Sequence, residues 1–208
     1  MKKWIKILAV VLCLCFLQTP VMESVTSVTE VQAAVKKGLK KEKGKYYYYS
    51  KGKKVKNTWK SIKVKNKRTK KTVTYRYYFG KNGAAYQGGS KWGEPYLSVK
   101  TIKGQKYGFD KNARMVKGDR VSKGSFWCFN SKNGRYDAKR TQRLRSVSKE
   151  HSSAASLFAL IGKPRKRTPV PGCYGDGQEY ELEYTNFRVV TFISNATHKE
   201  TVIEVIAK

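Results

Sequence analysis

A block of aromatic residues followed by a glycine turn recurs four times in this chain, and it constrains the fold more than any other feature. The aromatic runs end at Tyr49, Phe79, Phe109 and Phe129, in steps of 30, 30 and 20 residues. The small turn residues that follow are Gly52, Gly83, Ala113 and Gly134. Fixed periods of this length indicate stacked supersecondary units. We therefore predict a repeat array over residues 45–137.

One block has the pattern of a β-hairpin. Every second residue of one stretch is apolar or aromatic, namely Val73, Tyr75, Tyr77 and Phe79. In a strand these side chains share one face. The pair Asn82-Gly83 that follows accepts the positive φ of a tight turn. A single hairpin is marginally stable in water, so several must stack and bury a shared aromatic seam. The predicted fold is mainly β, with the hairpins forming a small β-solenoid.

The run of four tyrosines at residues 46–49 is predicted to be a strand of the first block. Alternation sends Tyr47 and Tyr49 to one face and Tyr46 and Tyr48 to the other. We expect one pair to pack inward and the other pair to remain available for contact.

The pattern changes in the C-terminal part of the chain. Residues 153–161, SAASLFALI, have helical spacing and are followed by Gly162 and Pro164, which end a helix. Three later stretches, EYELEYT, FRVVTFIS and TVIEVIA, have the patterns of strands, whereas RKRTPVPGCYGDGQ reads as a loop. For residues 138–208 we predict a small α+β module with one helix and a three-stranded antiparallel sheet.

Positive charge is concentrated in the repeats. Residues 34–150 hold 35 Lys and Arg against 6 Asp and Glu, whereas residues 151–208 hold 7 against 6. Such a field concentrates polyanions, although a solubility coat without a partner is the alternative. Residues 34–44 are predicted to be a basic linker. The predicted polyanion-binding residues are Lys53, Lys54, Lys67, Arg68, Lys70 and Lys71.

Residues 1–33 have the pattern of an export signal. Three lysines surround the start of the apolar run at residues 5–17, which is shorter than the roughly 20 residues of a membrane-spanning helix. Small residues precede a cleavage point after Ala33. We expect a secreted protein without a transmembrane segment after cleavage; an uncleaved anchor is the alternative.

The mature chain carries two cysteines, Cys128 and Cys173. An exported chain can form one bridge between them, and two free thiols are the alternative. The only histidines, His151 and His198, have neither metal-ligand nor triad spacing. We predict no catalytic residue, no metal site and no cofactor, and therefore not an enzyme.

The repeats resemble the cell-wall-binding repeats of Gram-positive surface proteins, of the choline-binding and glucan-binding type. The matching pieces are WKSI at residues 59–62, YRYYFGKNGAAYQGG at residues 75–89 and KYGFDKNARMVKG at residues 106–118. The resemblance implies attachment to the cell wall. Choline-type repeats build ligand cages from two tryptophans and a tyrosine of neighbouring units; here those places are filled unevenly, so a choline cage is not assumed.

The C-terminal stretch is similar to an uncharacterised module of exported clostridial proteins. The matching pieces are LFALIGKP, GCYGDGQEYELEY and FRVVTF. This second resemblance implies a Gram-positive source and no particular activity.

Exposed aromatic rings stack on sugars or attract quaternary ammonium groups, while packing in the hairpin seam is the alternative for each ring. The candidate ligand-binding rings are Trp59, Tyr78, Tyr86, Trp92, Tyr96, Tyr107, Trp127 and Tyr136. These features together predict a secreted, cell-wall-associated protein that binds teichoic acid or glycan without catalysis. A single-strand nucleic-acid binder is the first alternative, disfavoured by the export signal. An adhesin or antimicrobial protein acting on anionic membranes is the second, and no long basic amphipathic helix supports it.

Overall fold

The computed structural model describes residues 35–66 and 68–208. The predicted export signal and Lys67 lie outside these residues. The described chain begins with eleven short strands, which pair in antiparallel fashion with their neighbours along the chain. They are β1 (Gly38–Glu42), β2 (Lys45–Ser50), β3 (Lys53–Lys54), β4 (Thr58–Lys65), β5 (Thr72–Phe79), β6 (Gly89–Lys91), β7 (Glu94–Tyr96), β8 (Ser98–Ile102), β9 (Gln105–Phe109), β10 (Gly118–Ser122) and β11 (Ser125–Phe129). The mainly β prediction, with antiparallel hairpins, is confirmed.

Five of the connections are tight two-residue turns with a glycine in second place. Both residues of each turn have positive φ, which is the geometry of a type I′ turn and matches the twist of the paired strands. The turns are Lys43-Gly44, Lys51-Gly52, Trp92-Gly93, Lys103-Gly104 and Lys123-Gly124. Lysine precedes glycine in four of them, so most hairpin tips carry a cation. Only Trp92 breaks this pattern.

Successive hairpins are joined by backbone hydrogen bonds. The segment after each aromatic strand bonds back to the previous hairpin: Ala85 N–H donates to Tyr46 O at 2.8 Å, Met115 N–H to Arg76 O at 2.8 Å, and Tyr136 N–H to Lys106 O at 2.9 Å. The residues that end the aromatic runs are buried in every block, namely Tyr49, Phe79, Phe109 and Phe129. The predicted repeat register therefore matches the packing.

The first block differs from the prediction in two ways. The stretch predicted to be a basic linker contains β1, which pairs with β2 from Gly38 opposite Tyr49 to Glu42 opposite Lys45. In addition, both faces of the tyrosine strand are in contact. Tyr46 and Tyr48 pack against the core of the next hairpin, while Tyr49 is itself buried.

The C-terminal part has two helices and four strands, so the prediction of one helix and three strands is wrong in its counts. The elements are α1 (Ala138–Val147), α2 (Ala154–Ile161), β12 (Lys166–Val170), β13 (Gly177–Glu183), β14 (Phe187–Ser194) and β15 (Glu200–Ala207), with sheet order β12-β13-β14-β15. Helix α1 buries only Thr141 and Leu144, which leaves little apolar periodicity in the sequence. Strand β12 contains Pro169, a residue tolerated at a sheet edge because its missing N–H leaves the ladder intact.

The last hairpin packs into the core of the C-terminal elements. Phe126 and Cys128 of β11 share one buried cluster with Leu144 of α1, Leu157 of α2 and Val189 of β14. The ring centroids of Phe126 and Phe187 lie 5.0 Å apart, edge to face. The predicted boundary between residues 137 and 138 thus falls between β11 and a helix that packs against it; whether it separates two domains stays a prediction.

Candidate functional site

Four of the predicted ligand-binding rings lie in one cluster. Trp59 on β4 is the centre, with its ring centroid 5.2 Å from that of Tyr78 on β5 and 5.0 Å from that of Tyr107 on β9. Tyr86, in the segment after β5, lies 5.3 Å from Tyr78. All four rings are partly exposed and pack against a buried cluster of Ile102, Phe109 and Met115. We call these four rings the Trp59 cluster.

A smaller cluster forms beside the last hairpin. The centroid of Trp127 on β11 lies 5.8 Å from that of Tyr136, and Tyr136 in turn lies 6.0 Å from Phe129. A backbone bridge between Phe129 and Tyr136 fixes this arrangement. Trp127 and Tyr136 are partly exposed and form a second, two-ring site.

The remaining two predicted rings join neither cluster. Tyr96 on β7 faces its cross-strand partner Gly89, where any larger side chain would collide with the ring. Trp92 is at the tip of the β6–β7 hairpin and is 93% exposed, with a φ of 49°. Trp92 is therefore held outward by a rigid turn and is the most accessible ring of the predicted set.

Cations of the chain itself cover most of these rings. Arg76 lies over Trp59, with its guanidinium carbon 4.6 Å from the ring centroid, and Arg145 lies 4.5 Å over Trp127. Ammonium groups lie over four more of the predicted rings, in the pairs Lys100–Tyr86, Lys91–Trp92, Lys123–Tyr96 and Lys106–Tyr136, at 4.2–5.9 Å. These contacts are cation–π attractions within the protein. Six of the eight candidate rings are thus already engaged by a cation of the chain itself.

Arg76 and Arg145 were not among the predicted site residues. The contact between Arg76 and Trp59 could be inferred from the hairpin register. Trp59 pairs with Tyr78, and Arg76 is two residues before Tyr78 on the same face of β5. Such diagonal neighbours are within reach of long side chains. Arg145 comes from α1 and is held by a hydrogen bond from its Nε to Phe126 O at 2.8 Å. No local sequence pattern predicts that Arg145 of α1 contacts the ring of Trp127.

The predicted polyanion-binding residues fall into two groups. Lys53 and Lys54 form β3, while Arg68, Lys70 and Lys71 are exposed in the loop between β4 and β5. Lys54 is not free for a partner, since its Nζ lies 3.3 Å from a Glu42 carboxylate oxygen and 3.6 Å from the centroid of Tyr47. The exposed loop is therefore the more accessible basic group.

Glu42 holds the first sheet together. Its carboxylate accepts hydrogen bonds from Lys36 Nζ at 2.7 Å and from the Tyr49 hydroxyl at 2.9 Å. These bonds, chiefly that from Lys36, lower the pKa of Glu42 to about 2. Burial tends to lower the pKa of Lys54, but its bonds to Glu42 and Tyr49 outweigh this and the net shift is upward. The ion pairs stay charged at neutral pH.

Both cysteines are free thiols, so the proposed bridge is not present. Cys128 is fully buried between β11 and α1, where its backbone N–H bonds to the Thr141 hydroxyl at 3.0 Å, whereas Cys173 is exposed in a loop. Burial raises the pKa of the Cys128 thiol to about 12, which keeps it protonated and unreactive.

Within residues 35–66 and 68–208, no three His, Cys, Asp or Glu side chains group as metal ligands. Neither described helix is long and apolar enough to cross a membrane.

No protein-family model and no curated protein matches this chain. Similar solved structures include choline binding protein F from Streptococcus pneumoniae, with a TM-score of 0.32 and 13% identity over 80% of this chain and 52% of that one. The modular Cpl-1 endolysin complexed with a peptidoglycan analogue has a TM-score of 0.30 and 14% identity, over 77% of this chain and 30% of that one. Truncated alternansucrase from Leuconostoc mesenteroides has a TM-score of 0.31 and 13% identity, over 76% of this chain and 11% of that one.

This chain thus spans about half or less of the length of those three structures. At these TM-scores the similarities by themselves support no conclusion about its function.

Proposed function

We propose that this protein is a secreted, non-catalytic protein of the Gram-positive cell wall, which binds an anionic wall polymer such as teichoic acid through its basic hairpin repeats. The observation that carries the proposal is the cover of lysine and arginine over six of the eight candidate rings. A surface whose rings already hold cations is suited to an anionic ligand.

The charge of the repeats supports the same ligand. Residues 34–150 carry a net charge of +29, and the hairpin tips repeatedly present lysine beside glycine. Such a field raises the local concentration of a polyanion and speeds its capture. In the envelope of a Gram-positive cell, teichoic acids are the nearest polymers of this kind.

A choline-like ligand is disfavoured by the Trp59 cluster itself. Tyr78 and Tyr107 pack edge-on against Trp59 and leave no space between the rings, and the Arg76 guanidinium lies over Trp59. A ligand cation would have to displace Arg76 and approach a strongly basic surface. Guanidinium groups stacked on rings remain able to donate hydrogen bonds to phosphate oxygens at their edges.

The test is retention of the purified mature protein on walls that carry teichoic acid and on walls stripped of it, over a series of salt concentrations. We expect retention on the intact walls alone, with affinity falling ~100-fold from 50 to 200 mM salt if about four phosphates are neutralised. Equal retention on both kinds of wall would overturn the proposal. Tighter binding to single-stranded DNA than to walls at physiological salt would favour the nucleic-acid alternative.

A matched pair of variants separates a repeat site from net charge. The first variant replaces Arg68, Lys70 and Lys71 of the exposed β4–β5 loop with Gln, and the control replaces Lys163, Lys166 and Lys199, which are exposed in the C-terminal part. Each variant loses three positive charges. We expect the loop variant to bind walls more weakly than the control, and equal weakening would show that only total charge matters.

A further inference from the structure

A cavity of about 200 Å³ lies where the repeats meet the C-terminal elements. Its walls come from β7, from the turn after β9, from β10, from the residue just before β14 and from the end of β15. The polar lining residues are Tyr96, Asp110, Lys111, Asn112, Arg120, Asn186 and Lys208. Of the residues predicted from the sequence, only Tyr96 reaches it, so the cavity is separate from both ring clusters.

Arg120 is the unusual member of this lining. Its Nε is buried and has no hydrogen-bond partner within the described chain. The Nε of Arg114 is also buried and unpartnered, but that guanidinium lies 4.0 Å over the ring of Tyr75. Arg120 has no such ring contact among the described residues, so its charge lacks the compensation that Arg114 receives.

The two nearest carboxylates are engaged elsewhere. Asp119 forms a two-bond pair with Arg140, with distances of 2.8 Å from Nε and 2.6 Å from Nη2. Asp110 Oδ1 accepts the backbone N–H groups of Asn112 and Arg114, both at 2.8 Å, which makes it a turn-forming residue. Within the described residues, neither carboxylate approaches the Arg120 nitrogens within ion-pair distance.

A buried Nε–H without a partner is costly, because it loses hydration and gains no hydrogen bond in return. Burial lowers the pKa of Arg120, while the more distant charges of Asp110 and Asp119 oppose this shift. Arginine nevertheless stays charged in proteins. A bound anion would compensate the charge of Arg120, and Lys111 and Lys208 line the same cavity as further cations against one carboxylate, Asp110.

We propose that this cavity binds one small oxyanion, a phosphate group, through Arg120. A planar guanidinium matches two oxygens of such a group, and the cavity is large enough for the group but not for a polymer chain. The group is either a free ion or the end of a phosphate ester. This site does not depend on the wall-binding function, since it shares none of the exposed loop residues of that proposal.

The test is thermal unfolding of the mature protein in chloride buffer at constant ionic strength, with inorganic phosphate or glycerol 3-phosphate added. At ten times the dissociation constant, we expect the melting temperature of the wild type to rise by about 4 °C. Arg120→Met should show no rise, and without phosphate it should be as stable as the wild type or more stable. Arg120→Lys should show a reduced rise.

Arg143→Met is the matched control, because Arg143 is exposed on α1 and the substitution removes the same positive charge as Arg120→Met. It should show the rise of the wild type. A rise with phosphate alone assigns the free ion, and a rise with both compounds assigns a phosphate ester. The proposal is overturned if neither compound stabilises the wild type up to about 10 mM, or if Arg120→Met responds as the wild type does.

Discussion

Removing the guanidinium of Arg76 should open the Trp59 cluster to an external cation. Arg76 lies 4.6 Å over Trp59, and the rings of Tyr78 and Tyr107 stand edge-on to Trp59 at 5.2 and 5.0 Å. The substitution Arg76→Met retains a long side chain and removes the charge. Because methionine is flexible and uncharged, a small quaternary ammonium ion can then approach the indole.

The expected magnitudes follow from these contacts. The lost cation–π contact is worth about 1 kcal/mol at a half-buried site, which lowers the melting temperature by about 3 °C. An ammonium ion in the place of the Arg76 guanidinium would lie over one ring, Trp59, and gain about 1 kcal/mol, equivalent to a dissociation constant of about 0.2 M. The wild type should bind tetramethylammonium at least ~10-fold more weakly, since Arg76 occupies the face.

The assay follows the indole N–H resonance of Trp59 by NMR during titration with tetramethylammonium chloride, with sodium chloride as the salt control. Arg145→Met is the matched variant, since it uncovers Trp127 beside one further ring, Tyr136. A cation in the place of the Arg145 guanidinium would likewise lie over one ring, Trp127, so we expect a similar dissociation constant of about 0.2 M. The reasoning is refuted if folded Arg76→Met shows no response up to about 0.2 M, or if the wild type binds equally well.

Three further predictions concern the scaffold. Gly88→Ala should destabilise the protein by about 2 kcal/mol or more in urea unfolding, because the new Cβ would collide with Tyr96 O and lie 2.9 Å from Phe109 O, both backbone atoms. Gly80→Ala, which meets only the Tyr86 ring at 3.1 Å, is the milder control, and equal effects would contradict this account. Since the pKa of Glu42 is lowered from 4.5 to about 2, its stabilisation is present above pH 4.5 and is lost as the pH falls towards 2. The wild type should therefore lose more stability than Glu42→Gln over that range, and parallel pH profiles would be inconsistent with the proposed ion pairs. Leu144→Ala should cost about 2–5 kcal/mol and speed hydrogen exchange at Phe126 and Cys128, because this fully buried side chain joins α1 to the last hairpin. Unchanged exchange in β11 would show that the two parts do not share a core.

Much of the repeat architecture is predictable from the sequence because its signals are local. The aromatic residue that ends each block is buried, and Gly83 has the positive φ predicted for the turn that follows β5. Strand alternation and type I′ turns depend on residues two to four positions apart, so a short window contains them. Helix α2 is predicted for the same reason.

The errors occur where local signals are weak or misleading. Helix α1 has only two buried residues, so its apolar pattern is weak. Its N-cap residue, Asp137, which accepts a hydrogen bond from Arg140 N–H, lies in a charged stretch of the sequence. Strand β12 carries a proline, and the sequence pattern predicts a loop there. Both elements are stabilised by their partners, α1 by β11 and β12 by β13, and not by their own composition.

The sequence by itself determined that this protein is built from basic, aromatic hairpins in a repeating register, because turns and alternation are encoded within each block. Only the tertiary structure decided which side chain covers which ring. Arg145 on a helix reaches Trp127, the Nε of Arg120 is left without a hydrogen-bond partner beside a cavity, and no distant element covers Trp92. These outcomes depend on neighbours brought together from distant parts of the chain, and a short sequence window contains no information about them.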